Sequence, residues 1–388
     1  MRSSRPLGWL TLAAAAWLLP PLPAVGAATA AAPELDPPVI SLRDVPTLSD
    51  VLAQIDDRRV VFVGETHTRY DHHLVQLEVL KTLHRRHGDV AVGVEWFQYP
   101  FQQHLDDYLA GRITEAQMLE RTGYFDRWRF DYRLYRPIVE YAKANAIPLV
   151  ALNAPAELTK AIGKVGMAGL SEEQRRLLPS QYDRSDRVYE ERLRGFFDSH
   201  PGGSRSFENF LNVMLTWDET MAERAADYLR THPQRRMVIM AGSGHVAYGS
   251  GIPRRLERRI DISTAVLLVD WDRLDDPGAG DYVVMSDPRE LPPAGLLGAF
   301  LKADDEGVRV AQLSGDSALR EAGVGENDLL LSVDDQAVDS FAAVKLALLD
   351  RAPGETVTVR YRHRNWLGKD VERSAEVTLG GAVESSHP

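Results

Sequence analysis

The sequence predicts an α/β protein: a mostly parallel sheet flanked by helices with a helical cap subdomain, followed by a small α+β domain. Three observations predict it. Five short runs, RRVVFVG (58–64), DVAVGVE (89–95), IPLVALN (147–153), RRMVIMAG (235–242) and TAVLLVD (264–270), are nearly continuous in apolar β-formers. Continuous rather than alternating hydrophobicity requires burial on both faces, as in a parallel sheet covered by helices. Each run comes after a helix-like stretch, and two long helical excursions, one between the second and third runs and one from Glu157 to about Arg230, supply the cap. After DPRELPPAG (287–295), whose paired prolines can continue neither a helix nor a central strand, the pattern changes to short strands and two short helices.

The elements run in order from the N-terminus. MRSSRP brings Arg2 and Arg5, the apolar LGWLTLAAAAWLLP comes next, and the small residues of PAVGAATAAA offer cleavage after Gly26, Ala27 or Ala30. The apolar run is shorter than the roughly 20 residues a membrane-spanning helix needs. Residues 1–27 therefore read as a cleaved secretory signal, and the mature chain as periplasmic or secreted with no transmembrane segment. Residues 28–44, rich in alanine and proline, read as a disordered lead-in, 45–286 as the α/β domain, 287–294 as a linker, 295–380 as the second domain and 381–388 as a disordered tail. With no cysteine, the chain has neither a disulfide framework nor a thiol for a lipid anchor, so it is not read as a lipoprotein. Its apolar fraction of 44% and charged fraction of 26% are those of a globular protein. A net charge of −11, with no long basic run to offset it, excludes a general nucleic-acid binder.

In an open parallel sheet, ligands gather outside the carboxyl ends of the strands. Here the first run ends in Gly64-Glu65-Thr66-His67, the second in Glu95, the third in Asn153, the fourth in Gly242-Ser243-Gly244-His245 and the fifth in Asp270. His67 and His245 offer nitrogen ligands for a divalent transition metal, while Glu65 and Glu95 supply charge and a base for metal-assisted hydrolysis. Taken singly, each has a plainer reading: Glu65 at a positive helix end, His67 as a structural imidazole, Glu95 as a solvated charge. AGSGH is not a G-x-S-x-G nucleophile elbow, because alanine stands two places before Ser243. His72 and His73 read as surface or capping residues, His84 and His87 as an exposed helix end, and Asp218 beside Trp217 as either facing the cleft or capping helix packing, with packing favoured.

The segment GYFDRWRFDYRLYRP (123–137) interleaves Tyr124, Tyr132, Tyr135, Phe125, Trp128 and Phe130 with Arg127, Arg129, Arg133 and Arg136. Aromatic faces, a phenolate oxygen and guanidinium groups suit a haem with two propionates. The same spacing also serves a helical hairpin with its aromatics packed inward and its arginines solvated.

VVFVGETHTRYDHHLVQLEVL, VGVEWF, HLDDYLAGRIT, IPLVALNAP, WDETMA and AGSGHVAYGSGIPRRL together resemble the ChaN family of haem-binding uptake proteins, grouped with the Tiki, TraB and erythromycin-esterase-like folds. The resemblance covers about 45–275 and implies a role in haem or iron acquisition, with haem held through a tyrosine in a homodimer. It leaves that tyrosine open among Tyr70, Tyr99, Tyr124, Tyr132 and Tyr135. The related Tiki proteases imply a metal-dependent hydrolytic site at Gly64–His67, Glu65, Glu95 and Gly242–His245. The missing acylated cysteine departs from the usual lipoprotein of the family.

The tail resembles a bacterial PDZ domain, with GLLGAF as carboxylate-binding loop and first strand. That implies capture of a peptide C-terminus by strand addition near Leu297, Gly298, Ala299 and Phe300. Asn327 and Asp335 stand where that family prefers turn glycines. Three functions are open to such a chain: a haem-binding uptake protein with a partner-docking module, a metal-dependent hydrolase, or a scaffold whose cleft has lost its chemistry.

Overall fold

Val60–Glu65 (β1), buried along its whole length, runs between two parallel neighbours and anchors the larger domain. The computed structural model describes residues 43–199, 206–273, 276, 278–365 and 367–381. The expected signal segment, the lead-in up to residue 42 and the tail from residue 382 lie outside the described residues. Among the described residues, no helix is long and apolar enough to cross a membrane.

Val90–Gln98 (β2), Leu149–Asn153 (β3), Arg236–Gly242 (β4), Thr264–Val269 (β5) and Tyr282–Val284 (β6) complete a six-stranded sheet in the order β3-β2-β4-β1-β5-β6, parallel throughout. All five runs singled out by hydrophobicity are strands. β6 has no such signature, because YVV is too short and too exposed to stand out. Strand alternation sends the apolar side chains to two separate cores. Val61, Val63, Val92 and Val94 meet Leu77 and Leu80 of the helix Tyr70–His87, together with the aromatics of the first helical excursion. Val60, Phe62, Ala91 and Ile239 meet Met221, Ala225 and Leu229 of the helix Phe207–Thr231 and Leu256 of the helix Ile252–Arg259. Burial on both faces is the reason the strands read as unbroken apolar runs.

The order β2-β4-β1 places three strand ends side by side. Glu65 pairs in register with Gly242, and Val94 with Met240, so Glu65, Glu95 and the Gly242–His245 turn come level. Gly64 is required there: a Cβ would lie 2.8 Å from Val246 Cγ2 and 2.9 Å from Leu268 Cδ2. The turn after β4 could not then pack down onto β1.

The second domain is antiparallel. Ala299–Asp304 (β7), Gly307–Leu313 (β8), Leu329–Val333 (β9), Gln336–Ala337 (β10), Thr356–Arg364 (β11) and Asp370–Thr378 (β12) form a sheet in the order β12-β11-β9-β8-β7, with β10 on β9. Asn327 adopts φ 68°, as a glycine-like turn position requires. In the next turn the left-handed residue is Asp334 at φ 50°, rather than Asp335. The helix Phe341–Ala347 serves two cores at once. Ala343, Val344 and Ala347 pack into the second domain, while Ala342 and Leu346, with Leu349 just beyond the helix, pack against the first.

Candidate functional site

Glu65 closes β1 with its side chain fully buried, and its Oε1 lies 2.5 Å from His67 Nδ1. That contact fixes the imidazole two residues on and leaves Nε2 on the side of Gly242. Gly242 lets the ring in: a Cβ there would stand 2.9 Å from His67 Cε1 and 3.3 Å from Nε2. The other faces of the ring are held by Trp128 and Phe130, each with its centroid 4.9 Å away. The His67 side chain keeps 28% of its surface exposed, so the cluster is open on this side.

His245, in the turn after β4, is supported in the same way. Its Nδ1 lies 2.6 Å from Asp218 Oδ1, and its Nε2 lies 3.3 Å from Glu95 Oε1. Asp218 is itself held by the hydroxyl of Tyr189. Glu95 joins the two halves: its Oε2 accepts the Gly242 N–H at 2.8 Å, and its backbone carbonyl accepts Asn153 Nδ2 at 2.9 Å. It lies within β2 rather than at its end, since the strand continues to Gln98 through a register shift. Ligand-capable atoms of Glu65, His67 and Glu95 lie within 4.8 Å of one another.

The electrostatics favour positive charge at this spot. Burial opposes protonation of His245, but Glu95 and Asp218 outweigh it and raise its pKa to about 9. For His67, burial is likewise outweighed by the hydrogen bond to Glu65 and the nearby carboxylates, so its pKa is raised. Three buried carboxylates around two imidazoles are a donor set that a divalent transition metal fits. His67 and Glu95, which meet the spacing together with Glu65, would hold it, joined by His245 through its 3.3 Å approach to Glu95, with Glu65 and Asp218 orienting the imidazoles. One buried oxygen, Glu65 Oε2, has no hydrogen-bond partner among the described residues, which leaves a base in reserve. The cleft beside Glu95, walled by Trp128, Asn153, Thr159 and Trp217, holds about 70 Å³, room for roughly two waters.

Other expectations fare differently. Tyr124, Tyr132 and Tyr135 are core residues, each at most 1% exposed, instead of surface ligands. Burial pushes all three phenols well up, against formation of a tyrosinate. The Tyr132 hydroxyl donates to Glu115 at 3.0 Å and that of Tyr135 to His67 O at 3.4 Å, so both brace the fold. Tyr70 and Tyr99 are part-buried, Tyr70 packed against the first core and Tyr99 beneath the Arg224 guanidinium. His72 and His73 are buried rather than superficial: His72 Nδ1 accepts Thr66 N–H at 3.1 Å, and His73 Nε2 lies 3.2 Å from His67 O. Asp270 is absent from the cluster and belongs to a second group with Asp71 and His72. Asp218, which the sequence left between the cleft and helix packing, is buried and braces His245. Leu297 is buried, Gly298 takes φ 71°, and Ala299 opens β7, where Phe300 is 67% exposed.

Residues 51–256 match the family model described as haem-binding uptake, Tiki superfamily, ChaN, and residues 295–379 match the PDZ domain. Among solved structures the chain is similar to ChaN of Campylobacter jejuni, described with cofacially bound haem. The identity is 16% and the TM-score 0.51, over 62% of this chain and 92% of that one; at this identity the likeness shows the fold. A serine endoprotease from Yersinia pestis is 23% identical with a TM-score of 0.20, over 24% of this chain and 30% of that one. RETICULATA-RELATED 5, chloroplastic, of Arabidopsis thaliana is 25% identical over 238 residues. That match spans 55% of this chain and 31% of the plant protein's length.

Proposed function

Because the chain belongs to the ChaN family of haem-binding uptake proteins in the Tiki superfamily and ends in a PDZ domain, we propose that it is an exported haem-binding protein of haem or iron uptake. Its PDZ domain docks the C-terminus of a partner. One observation carries the haem reading beyond family membership. The His67 imidazole, part-exposed and held between Trp128 and Phe130, lies three residues before the part-exposed ring of Tyr70, which opens the helix Tyr70–His87. Imidazole and phenolate both ligate haem iron, and aromatic rings pack on its macrocycle. The 70 Å³ cleft is far too small for a porphyrin, so the haem docks at its mouth, where a second subunit would cover the open face.

Haemin titration of the purified full chain tests this. A Soret band is expected in the native protein, shifted or lost in Tyr70→Phe and His67→Ala and retained in Tyr132→Phe. Native spectra in both of the first two variants would remove the reading. Three features support the docking half: the outer edge of β7 pairs with no strand among the described residues, Phe300 is exposed, and Gly298 adopts a left-handed turn at the start of that edge. Export rests on the N-terminal apolar run behind Arg2 and Arg5.

A second reading is favoured by the two carboxylate-backed imidazoles that converge on Glu95: a metal-dependent hydrolase. A divalent metal held there would polarise a carbonyl and acidify a bound water. Glu65 would take the proton, and Asp218 would keep His245 in one tautomer. Chelator-sensitive hydrolysis of a peptide library, abolished by His67→Ala and by Glu95→Gln, is the expected result. Hydrolysis that survives both changes would exclude this site.

A further inference from the structure

A cleft of about 100 Å³ lies between the two domains, and both line it. The α/β domain contributes Arg129, Phe130 and Arg133, and the PDZ domain contributes Leu296, Lys345 and Leu348. Although the chain carries −11 overall, the charged groups here are three cations against Asp131 alone. Asp131 is already paired with Arg133 at 2.7 Å, and Arg133 also donates to the Pro292 carbonyl at 3.0 Å. Among the described residues, Arg129 and Lys345 have no ion-pair partner; the Lys345 ammonium lies only over the Phe341 ring, 5.4 Å from its centroid. The cleft therefore holds two uncompensated positive charges.

The backbone just beyond Leu296 complements that charge. The N–H groups of Leu297 and Gly298 have no acceptor among the described residues, and they lead directly into the unpaired edge of β7. Donors, cations, a free strand edge and the apolar walls of Leu296, Leu348 and Phe130 together suit one ligand chemistry. That ligand is a peptide ending in an apolar residue with a free carboxylate.

The cationic wall is also tied to the other site. Arg129 sits at φ 72°, a conformation that L-residues disfavour, between two residues whose rings both pack on His67. The turn that carries the guanidinium is thus the same turn that clamps the imidazole.

We propose that the inter-domain cleft binds a peptide's C-terminal carboxylate with Arg129 of the α/β domain as its cation, and that the Trp128–Arg129–Phe130 turn passes its occupancy to His67. The proposal rests on the reading of the PDZ domain as a peptide dock and adds that the dock is incomplete without the neighbouring domain.

The test uses the full chain and an array of synthetic decapeptides with apolar C-termini, each made with a free carboxylate and as an amide. Fluorescence polarisation is expected to show binding of the free acids and not of the amides. Arg129→Ala should weaken that binding about tenfold and Arg129→Lys should restore most of it, as loss and return of a charge-assisted contact would. In protein labelled with ¹³Cε1-histidine, the resonance that disappears in His67→Gln should shift on addition of a bound peptide, and should not shift for the Arg129→Ala protein saturated with it. Several outcomes overturn the proposal. If no peptide binds the native chain, peptide docking falls as well. If peptides bind equally to native protein and Arg129→Ala, docking stands and the role of Arg129 is lost. If His67 stays still while peptide binds, the link between the sites is wrong. If Arg129→Ala weakens haemin and not peptide, the arginine serves the haem instead.

Discussion

Two groups of acid and imidazole lie at the ends of neighbouring strands, and they are built on opposite plans. At β1, β2 and β4, Glu65, Glu95 and Asp218 surround His67 and His245 with no arginine in hydrogen-bond contact with these acids among the described residues. At the end of β5, Asp71, His72 and Asp270 enclose a cation already. Arg69 donates to Asp71 at 2.9 Å and to Asp270 at 2.8 Å, and the Ser286 hydroxyl sits within hydrogen-bond distance of both acids, its one proton shared between them. Both groups satisfy the same spacing for a metal. The difference lies in the cation each group uses: the second is braced by a fixed guanidinium, whereas the first relies on imidazoles that its acids hold protonated and that can give up their protons.

The largest expected effect comes from attacking the imidazole-braced cluster. On the hydrolase reading, calorimetric titration with manganese, cobalt or zinc should show His67→Ala losing more than about a hundredfold in affinity. The orienting changes Glu65→Gln and Asp218→Asn should each lose about 10- to 100-fold. His72→Ala should leave affinity unchanged; if it weakens metal binding as much as His67→Ala does, the contrast between the clusters disappears.

The two clusters should also govern opposite limbs of the stability profile of the metal-free protein. His245 has a folded pKa of about 9 against an ordinary 6.5. Its contribution, on the order of 3 kcal/mol, is therefore complete below 6.5 and is lost as pH rises through about 9. For Asp71, burial is outweighed by hydrogen bonds from Arg69 and Ser286, which lower its pKa from 3.8 to about 2. Its contribution is present above 3.8 and fades as pH falls through about 2. Urea denaturation across pH should show His245→Gln flattening the alkaline limb and leaving the acid limb intact; the reverse pattern would refute the assignment.

Smaller effects sharpen the contrast further. Arg69→Met should cost about 1–2 kcal/mol, discounted because the guanidinium is partly exposed. Calcium or manganese should recover part of that loss in the variant's thermal melt and should not stabilise the native second cluster. Tyr132→Phe should cost about 1 kcal/mol through loss of its bond to Glu115, measured by the same melts, with haemin spectra unaltered.

The fold was legible because each central strand is covered on both faces and so reads as a continuous apolar run. Only β6, three residues long at the sheet edge, lacks that signature. The strand-end rule brings His67, Glu65, Glu95 and His245 together, since sheet order makes β2, β4 and β1 neighbours. Asp218 escapes it because a 25-residue helix displays this residue, and the helix's periodicity reports its apolar face, not which strand end its polar residues meet. The aromatic segment misleads in one respect. Residue type places its tyrosines at a haem, but Leu119, Phe97 and Val139 enclose them in the same core. Of its arginines, Arg127 is paired with Glu157, Arg133 with Asp131 and Arg136 with Glu115 and Asp350. Arg129 is left to line the cleft between the domains, and sequence spacing does not distinguish it from the others.

The helix Phe341–Ala347 contributes apolar residues to both cores. Cutting the chain at the proline linker would therefore bare a greasy flank on each fragment, roughly 1 kcal/mol for each half-buried leucine uncovered. Chimeras that transplant either half alone should precipitate or self-associate unless Leu346 and Leu349 are first made polar. What looks in one dimension like two interchangeable cassettes behaves in three as one indivisible part.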